Sequence, residues 1–457
     1  MLKSNTQRYI CFFIVSILVF SIAFVFNSTG YLSNESDGNF DWWSESLIYS
    51  DLIYSKEYPN ENTIFNKSLI PSKLVEEYGG ELQDYENQIR LAYQNSNNQY
   101  KKSDFVDYKS NIVIQRYLFR FLDSVLPFSN NLKIHLFHFI NCLLLSISIS
   151  IIICWIIKVL NSFKIGIGIL ALFSLFAPNL IMYGKNLYWC AWTLFLPFVM
   201  MILLLESNWY NKSKHKILLL SFFALLSITI KCLFYFEFIS VVMISMMIPV
   251  IYYILNLNKD KYSIKKKAIY FFIVSLFAVV GFLLVMIVKL LLLNSYYGDF
   301  AQAFSAIFGN IADRLLGNTS SQNSNVVESA NVSVLFVIDI MIKKTFLSIK
   351  SVFSITQFGL ILSTFISTVI LILMNKKFQI LSMSNKSWII CCWISFLAPI
   401  SWFILAKPHT FIHNHHCTIV WFVIFNFMSL SLIGLLACKI VMLIKSKENE
   451  LFRGIDK

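Results

Sequence analysis

Lys265-Lys266-Lys267 followed by AIYFFIVSLFAVVGFLLVMIVKLLLL, Ala268 to Leu293, decides the class of this chain. A bilayer core about 30 Å thick needs roughly 20 apolar residues of helix to cross it, and this run is long enough. Lysines held immediately before an apolar run mark its cytoplasmic end. Nine further runs read the same way: Tyr9 to Phe26, Leu132 to Ile157, Ile165 to Met182, Leu187 to Leu205, Ile217 to Leu233, Phe238 to Leu255, Ser354 to Met374, Trp388 to Leu405 and Thr418 to Ile444. With the N-terminus inside, Lys3, Arg8, Lys158, Lys164, Lys212 to Lys216, Lys259 to Lys267, Lys376, Lys377, Lys386 and the lysines after Ile444 all fall on one side. The weakest boundary lies within Ile217 to Leu255, where no Gly or Pro appears before Pro249. A single helix there would put the Lys259 to Lys267 cluster outside, so charge places a tight hairpin at Lys231 to Glu237.

The reading is therefore an all-α integral membrane protein of about ten transmembrane helices, one polytopic domain over residues 1–457, with both termini cytoplasmic. Composition agrees: 57% of the residues are hydrophobic and 14% charged, too little charge for a soluble domain. A transmembrane barrel is excluded, because its strands alternate apolar and polar residues. The formal charge of +13 could suggest nucleic acid, but the excess lies in short inner loops, so no nucleic-acid partner is expected. Cys11, Cys142, Cys154, Cys391, Cys392 and Cys438 lie inside apolar runs, without the spacing of a metal knuckle or a disulfide framework. Tyr9 to Phe26 is followed by no small-residue cleavage site and reads as a retained span. No phosphate-binding Gly-rich loop, HExxH or GxSxG occurs.

This topology leaves two long outer loops, 27–131 and 294–353. The first is acidic early, at Glu35, Asp37, Asp41, Glu45 and Asp51, and ends in an amphipathic stretch. There Ile114, Tyr117, Leu118, Phe121, Leu122 and Val125 follow helical spacing, as suits a helix lying in the membrane interface. The second carries Phe304, Ile307, Phe308, Ile311 and Leu315 on another amphipathic helix, then a Ser/Asn-rich linker from Gly317 to Asn331. Val332 to Ile342 is apolar but too short to cross, and reads as interfacial or re-entrant.

Chemistry concentrates at the outer boundary. Lys407, Pro408, His409, Thr410, Phe411, Ile412, His413, Asn414, His415 and His416 hold four of the seven histidines. Lysine and imidazolium donate to phosphate oxygens, while neutral imidazoles four residues apart could ligate a divalent metal. A plain polar loop is the third reading, and His416 fits the set least. Glu237 sits at the mouth of an apolar hairpin, where an unpaired carboxylate is costly. Lys231 is its expected partner, or Glu237 is a second acid at a site. Arg314 is a phosphate contact or part of a solvated face; Arg116 and Arg120 meet lipid headgroups. Lys185 and Tyr188 lie at a short outer turn. Trp42 and Trp43 could stack on a sugar or anchor the chain at the interface.

Five stretches resemble the GT-C superfamily of polytopic membrane glycosyltransferases, in particular bacterial members of surface-polysaccharide clusters. These are Asp41-Trp42-Trp43 with Glu45; Tyr108-Lys109-Ser110 with Gln115; Asn186-Leu187-Tyr188-Trp189 with Leu196-Pro197; Tyr235-Phe236-Glu237-Phe238-Ile239; and Lys407 with His409, His413 and His415. The resemblance implies a bacterial cytoplasmic-membrane enzyme acting on the outer face. It implies a polyprenyl-phosphate-linked sugar as donor and a cell-surface glycan as acceptor. It makes Asp41 the base, with Asp37 and Glu45 behind it. No cofactor is called for, with a divalent metal as the open option. The sequence departs from the family's commoner pattern in offering Lys185, not a second acid, between the third and fourth spans. A lipid-linked oligosaccharide polymerase or ligase, a transporter or flippase, and an O-acyltransferase are the rival readings.

Overall fold

Long helices dominate because runs such as Ala268 to Leu293 satisfy every backbone polar group internally, the condition for standing in lipid. The computed structural model describes residues 2–26, 41–70, 85–95, 100–256, 264–317, 324–349 and 353–455. Eight helices among these are long and apolar enough to cross a membrane, and a bent pair makes a ninth. The eight are α1 (Leu2–Phe26), α5 (Asn130–Leu160), α9 (Lys216–Phe234), α10 (Ile239–Asn256), α11 (Ile264–Tyr297), α15 (Gln357–Phe378), α16 (Met383–Leu405) and α18 (Phe425–Ile455). The chain is a multi-pass membrane protein.

Several spans differ from the sequence reading: the last long helix starts at Phe425, not Thr418, and Ser354 to Thr356 lie in a strand before α15. Ile165 to Met182 is not one straight helix: α6 (Phe163–Phe176) and α7 (Pro178–Lys185) meet at 72°. Pro178 lacks an N–H and its ring disfavours helical Ala177, so the axis turns there. The helix expected from Leu187 begins only at Trp192, as the 15-residue α8 (Trp192–Glu206). Asn186 Oδ1 accepts the backbone N–H groups of Tyr188 and Trp189, both at 3.0 Å, and holds these residues in a turn. The hairpin placed by charge is present: α9 ends at Phe234 and α10 begins at Ile239.

The helices α9 and α11, α10 and α16, α1 and α5, and α8 and α10 pack as pairs. Trp155, Trp388 and Tyr252 form an aromatic knot among α5, α16 and α10, with Trp155 and Trp388 ring centroids 5.1 Å apart.

Over one end of the bundle sits a cap built from the first long loop. Helix α2 (Trp42–Glu57) is buried along most of its length and packs on α3 (Tyr85–Asn95). The strands β1 (Asn66–Leu69) and β2 (Phe105–Tyr108) pair antiparallel, Asn66 opposite Tyr108. Asn66 Nδ2 donates to the Leu47 carbonyl at 2.9 Å and ties the strand to α2.

The amphipathic stretch forms α4 (Gln115–Val125) with its polar side inward. Tyr117, Phe121 and Val125 stay exposed, the orientation of an interfacial helix whose apolar side meets lipid. Arg116 and Arg120 do not reach outward to headgroups. Arg116 donates to the carbonyls of Thr63 and Ile64, and Arg120 Nε lies 2.6 Å from Asp51 Oδ2. The second long loop contributes α12 (Phe300–Leu316), α13 (Ser324–Asn331), α14 (Val334–Lys343) and a two-stranded β3 (Thr345–Ile349)–β4 (Phe353–Thr356) ribbon. The stretch read as linker up to Asn331 is thus helical from Ser324 onward, and α14 is a ten-residue helix. A short helix, α17 (Lys407–Ile412), packs against α12 and α13.

Candidate functional site

Asp41 stands at the start of α2 as its N-cap. Its carboxylate accepts from Ser44 N at 3.0 Å and from Ser44 Oγ at 2.5 Å. Trp189 Nε1–H donates to Asp41 Oδ2 at 2.6 Å, and Asn186 Nδ2 donates to the Asp41 carbonyl at 3.0 Å. Three donors fix the carboxylate in one orientation, and the positive end of a 16-residue helix favours a negative charge at that point.

Glu237 is presented by the α9–α10 turn. Lys231 holds this turn: it is fully buried, and its ammonium donates to the carbonyls of Tyr235, at 2.8 Å, and of Glu237. The expected Lys231–Glu237 side-chain pair is therefore replaced by bonds to main chain. The carboxylate pairs instead with Arg314 of α12, at 2.6 Å, and accepts from Asn111 Nδ2 at 3.1 Å on each oxygen. Burial alone would raise the Glu237 carboxyl, but Arg314, then His409 and Asn111, hold it down at about 2. Burial counts against the Arg314 charge too, yet facing Glu237 raises that group above its ordinary value.

The late histidines meet these acids. A cavity of about 330 Å³ is lined by Asp41, Trp43, Ser44, Tyr108, Ser110, Tyr188, Trp189, Glu237, Phe238, Arg314, His409, His413, His416 and Cys417. Pro408 lies in the first turn of α17, where its missing N–H costs nothing, so it starts a helix there instead of preventing one. The backbone N–H of His413 then bonds the His409 carbonyl at 3.0 Å, and the two rings lie 4.8 Å apart. Burial, then His413 and Arg314, push the His409 imidazole down to about 3, against the pull of Glu237. Burial also lowers His413 and His415 and pushes His416 down to about 4, against the pull of Asp41. The 3.7 Å approach of His416 Nε2 to Asp41 Oδ2 is then a polar contact between a neutral ring and a carboxylate.

A polar web frames the rim. Tyr108, at the end of β2, has its hydroxyl 3.0 Å from that of Tyr188, and Asn111 Nδ2 donates to the Tyr188 hydroxyl at 2.7 Å. Three residues beside the site hold left-handed backbone without being glycine: Val113 at φ 56°, Cys190 at φ 39° and Phe238 at φ 61°. Such residues cost on the order of 1–3 kcal/mol each and persist where surrounding contacts dictate the position. They follow or flank Asn111, Trp189 and Glu237, whose side chains the turns aim inward.

Other residues expected at a site lie elsewhere. Glu45 is fully buried one turn beyond Asp41, with Tyr49 Oη at 2.8 Å and His138 Nε2 at 2.6 Å, and it does not line the cavity. Lys185 ends α7 half-buried, off the cavity wall. Lys407 points away, donating to the Ala330 carbonyl at 2.9 Å. His415 stacks near His416 at 3.8 Å while His416 takes the lining position, the reverse of the sequence expectation. The spacing 409, 413, 416 is that of one helical face and would have picked out His416. Trp42 opens α2, but its side chain falls outside the described residues, as does Asp37; Trp43 takes the cavity edge, against Tyr108. Among the described residues no group of three or more His, Cys, Asp or Glu is arranged to hold a metal ion.

A second cavity of about 200 Å³ shares Ser110 and Arg314 with the first. Its other walls are mainly apolar, among them Phe236, Phe282, Met286, Trp402 and Leu405. Lys289, whose ammonium donates to the Ser110 carbonyl at 2.5 Å, also lines it. Polar and apolar chambers thus meet at Arg314, which can face an anion at the border between them.

No protein-family model, no curated protein and no solved structure matches this chain.

Proposed function

We propose that the protein is a membrane glycosyltransferase that moves a sugar from a polyprenyl-phosphate-linked donor to a cell-surface glycan at the outer face of the cytoplasmic membrane. On this reading α6–α7 and α8 each cross, giving ten crossings with both termini cytoplasmic. The observation that carries the reading is the junction at Arg314. A polar chamber with two acids and three imidazoles shares that residue with an apolar chamber walled by residues of membrane-spanning α11 and α16. An amphiphile with an anionic link between a sugar and a lipid chain fits that division: sugar against Asp41 and Trp43, phosphate at Arg314, chain along Phe282 and Leu405.

In the chemistry this supports, Asp41 takes the proton of the acceptor hydroxyl as its oxygen bonds the anomeric carbon and the bond to the phosphate oxygen breaks. Asp41 is aimed by Ser44 and Trp189. Arg314, with N–H groups of the neutral imidazoles, takes up the charge of the departing lipid phosphate. Glu237, held ionised by Arg314, keeps the guanidinium at the chamber junction and is a positioning residue, not the base.

Purified protein in vesicles, given a polyprenyl-phosphate-linked hexose and membrane glycan, tests this. Release of polyprenyl phosphate with sugar appearing in the glycan, slowed about 10²–10⁴-fold by Asp41→Asn, is expected. Movement of intact donor across the bilayer without bond cleavage would favour the flippase reading and refute this one.

A further inference from the structure

A further cavity of about 630 Å³ lies between α6 and α18, lined on α18 from Leu430 to Lys445. Helix α18 starts at Phe425, nine residues after His416; Lys445 is twenty residues further along, about 30 Å at 1.5 Å per residue. That distance is the thickness of a bilayer core, so the Lys445 end of this cavity lies in the other leaflet. Its wall from Leu430 to Lys445 runs about 22 Å along the helix, more than the depth of one leaflet.

The lining is apolar except for Lys164 and Lys445. Both are exposed, neither has an ion-pair partner among the described residues, and no carboxylate lines the cavity. Gly434 explains the floor: a Cβ there would lie 3.1 Å from Ile165 Cγ1, so glycine lets α6 and α18 approach closely. Gly168 faces the open space, with nothing within 4 Å of an added Cβ.

We propose that this groove holds one anionic glycerophospholipid of the cytoplasmic leaflet, its acyl chains against Gly168, Leu172 and Ala437 and its phosphate between Lys164 and Lys445. Charge complementarity selects the occupant. Two uncompensated ammonium groups at the headgroup level attract an anionic lipid and give a zwitterionic one no net advantage. The site is separate from the proposed transferase site and stands or falls independently of it.

Native mass spectrometry of the full chain in mild detergent, with equal phosphatidylglycerol and phosphatidylcholine of matched chains, reads the occupant directly. Wild type is expected to retain one phosphatidylglycerol in preference to phosphatidylcholine by roughly tenfold or more, two lysines each favouring the anion. Lys164→Gln with Lys445→Gln should bring the ratio to parity, and Lys164→Arg with Lys445→Arg should restore it. Gly168→Leu, whose side chain enters empty space, should remove one retained lipid of either class. Equal retention of the two lipids by wild type overturns the proposal, with no variant needed. So does an unchanged preference in the double glutamine variant, or a groove filled by a second copy of the chain with no lipid retained.

Discussion

Removing Arg314 should damage this protein more than removing Glu237. In Arg314→Gln the Glu237 carboxylate, 4% exposed in the wild type, loses its ion-pair partner and keeps the Asn111 amide. Wild-type Glu237 titrates at about 2 against an ordinary 4.5. At 1.36 kcal/mol per unit, its ionised form gains on the order of 3 kcal/mol from folding. Because the folded value lies below the unfolded one, that stability is complete above pH 4.5 and disappears as pH falls toward 2. Without the guanidinium, burial becomes the largest influence and the carboxyl moves upward. The variant should therefore be destabilised by about 3–5 kcal/mol at neutral pH, the range for a buried pair broken on one side. With about 2.1 cal/mol/K of unfolding entropy per residue over 457 residues, the melting temperature should drop by roughly 3–5 °C. Thermal denaturation in detergent at pH 7 and pH 4 measures this. Arg314→Gln should lose ground to wild type at pH 7 and recover part of it at pH 4. The double variant Glu237→Gln with Arg314→Gln should be more stable than Arg314→Gln alone. An Arg314→Gln protein as stable as wild type at pH 7, or a double variant less stable than the single one, would refute the pairing argument.

Further outcomes follow from the same geometry. Asp41→Asn keeps an acceptor for Trp189 but cannot take a proton, so transfer should fall by about 10²–10⁴-fold with little change in melting temperature; a circular-dichroism melt beside the transfer assay checks both. Lys231→Met strips the carbonyls of Tyr235 and Glu237 of their donor and should cost roughly 1.5–3 kcal/mol; a variant with unchanged melting temperature but weakened donor binding would instead make Lys231 a substrate contact. The His409 imidazole, held at about 3, is neutral in the folded protein and charges in the unfolded one below its ordinary 6.5. Its contribution to stability is thus complete above pH 6.5 and drains away down to about pH 3, so His409→Phe should flatten the acid side of the stability profile between those limits.

Most of the long helices were legible because length and hydropathy act locally: of the ten spans expected, eight are present among the described residues as single long helices and a ninth as a bent pair. Even the α9–α10 hairpin, with no glycine or proline to announce it, was recovered from lysine placement. The bend at Pro178 was equally visible in the residues but is masked by unbroken hydropathy from Ile165 to Met182. The late start of α8 was not visible, because it depends on the Asn186 side chain capturing two backbone N–H groups. His409 and His413 could be singled out by type and position, and Asp41 by the family resemblance. Their partners could not: Glu237 and Arg314 are brought together only by packing of α12 over the α9–α10 turn, and Lys231, closer in sequence, spends its bonds on main chain. The outward apolar side of α4 follows from its periodicity, yet the inward fate of Arg116 and Arg120 depends on Asp51, which lies on a different helix.

The central claim is that an anionic lipid headgroup sits at Arg314 with its chain in the adjoining apolar chamber. A polyprenyl phosphate carrying a photoreactive group on its first isoprene unit, incorporated into vesicles with the purified protein, reads this by peptide mapping after irradiation. The expected adducts fall on Phe282, Met286, Trp402 or Leu405 and are lost in Arg314→Gln. Adducts spread over the exposed faces of α1, α11 and α15, and unchanged by that substitution, would contradict the account.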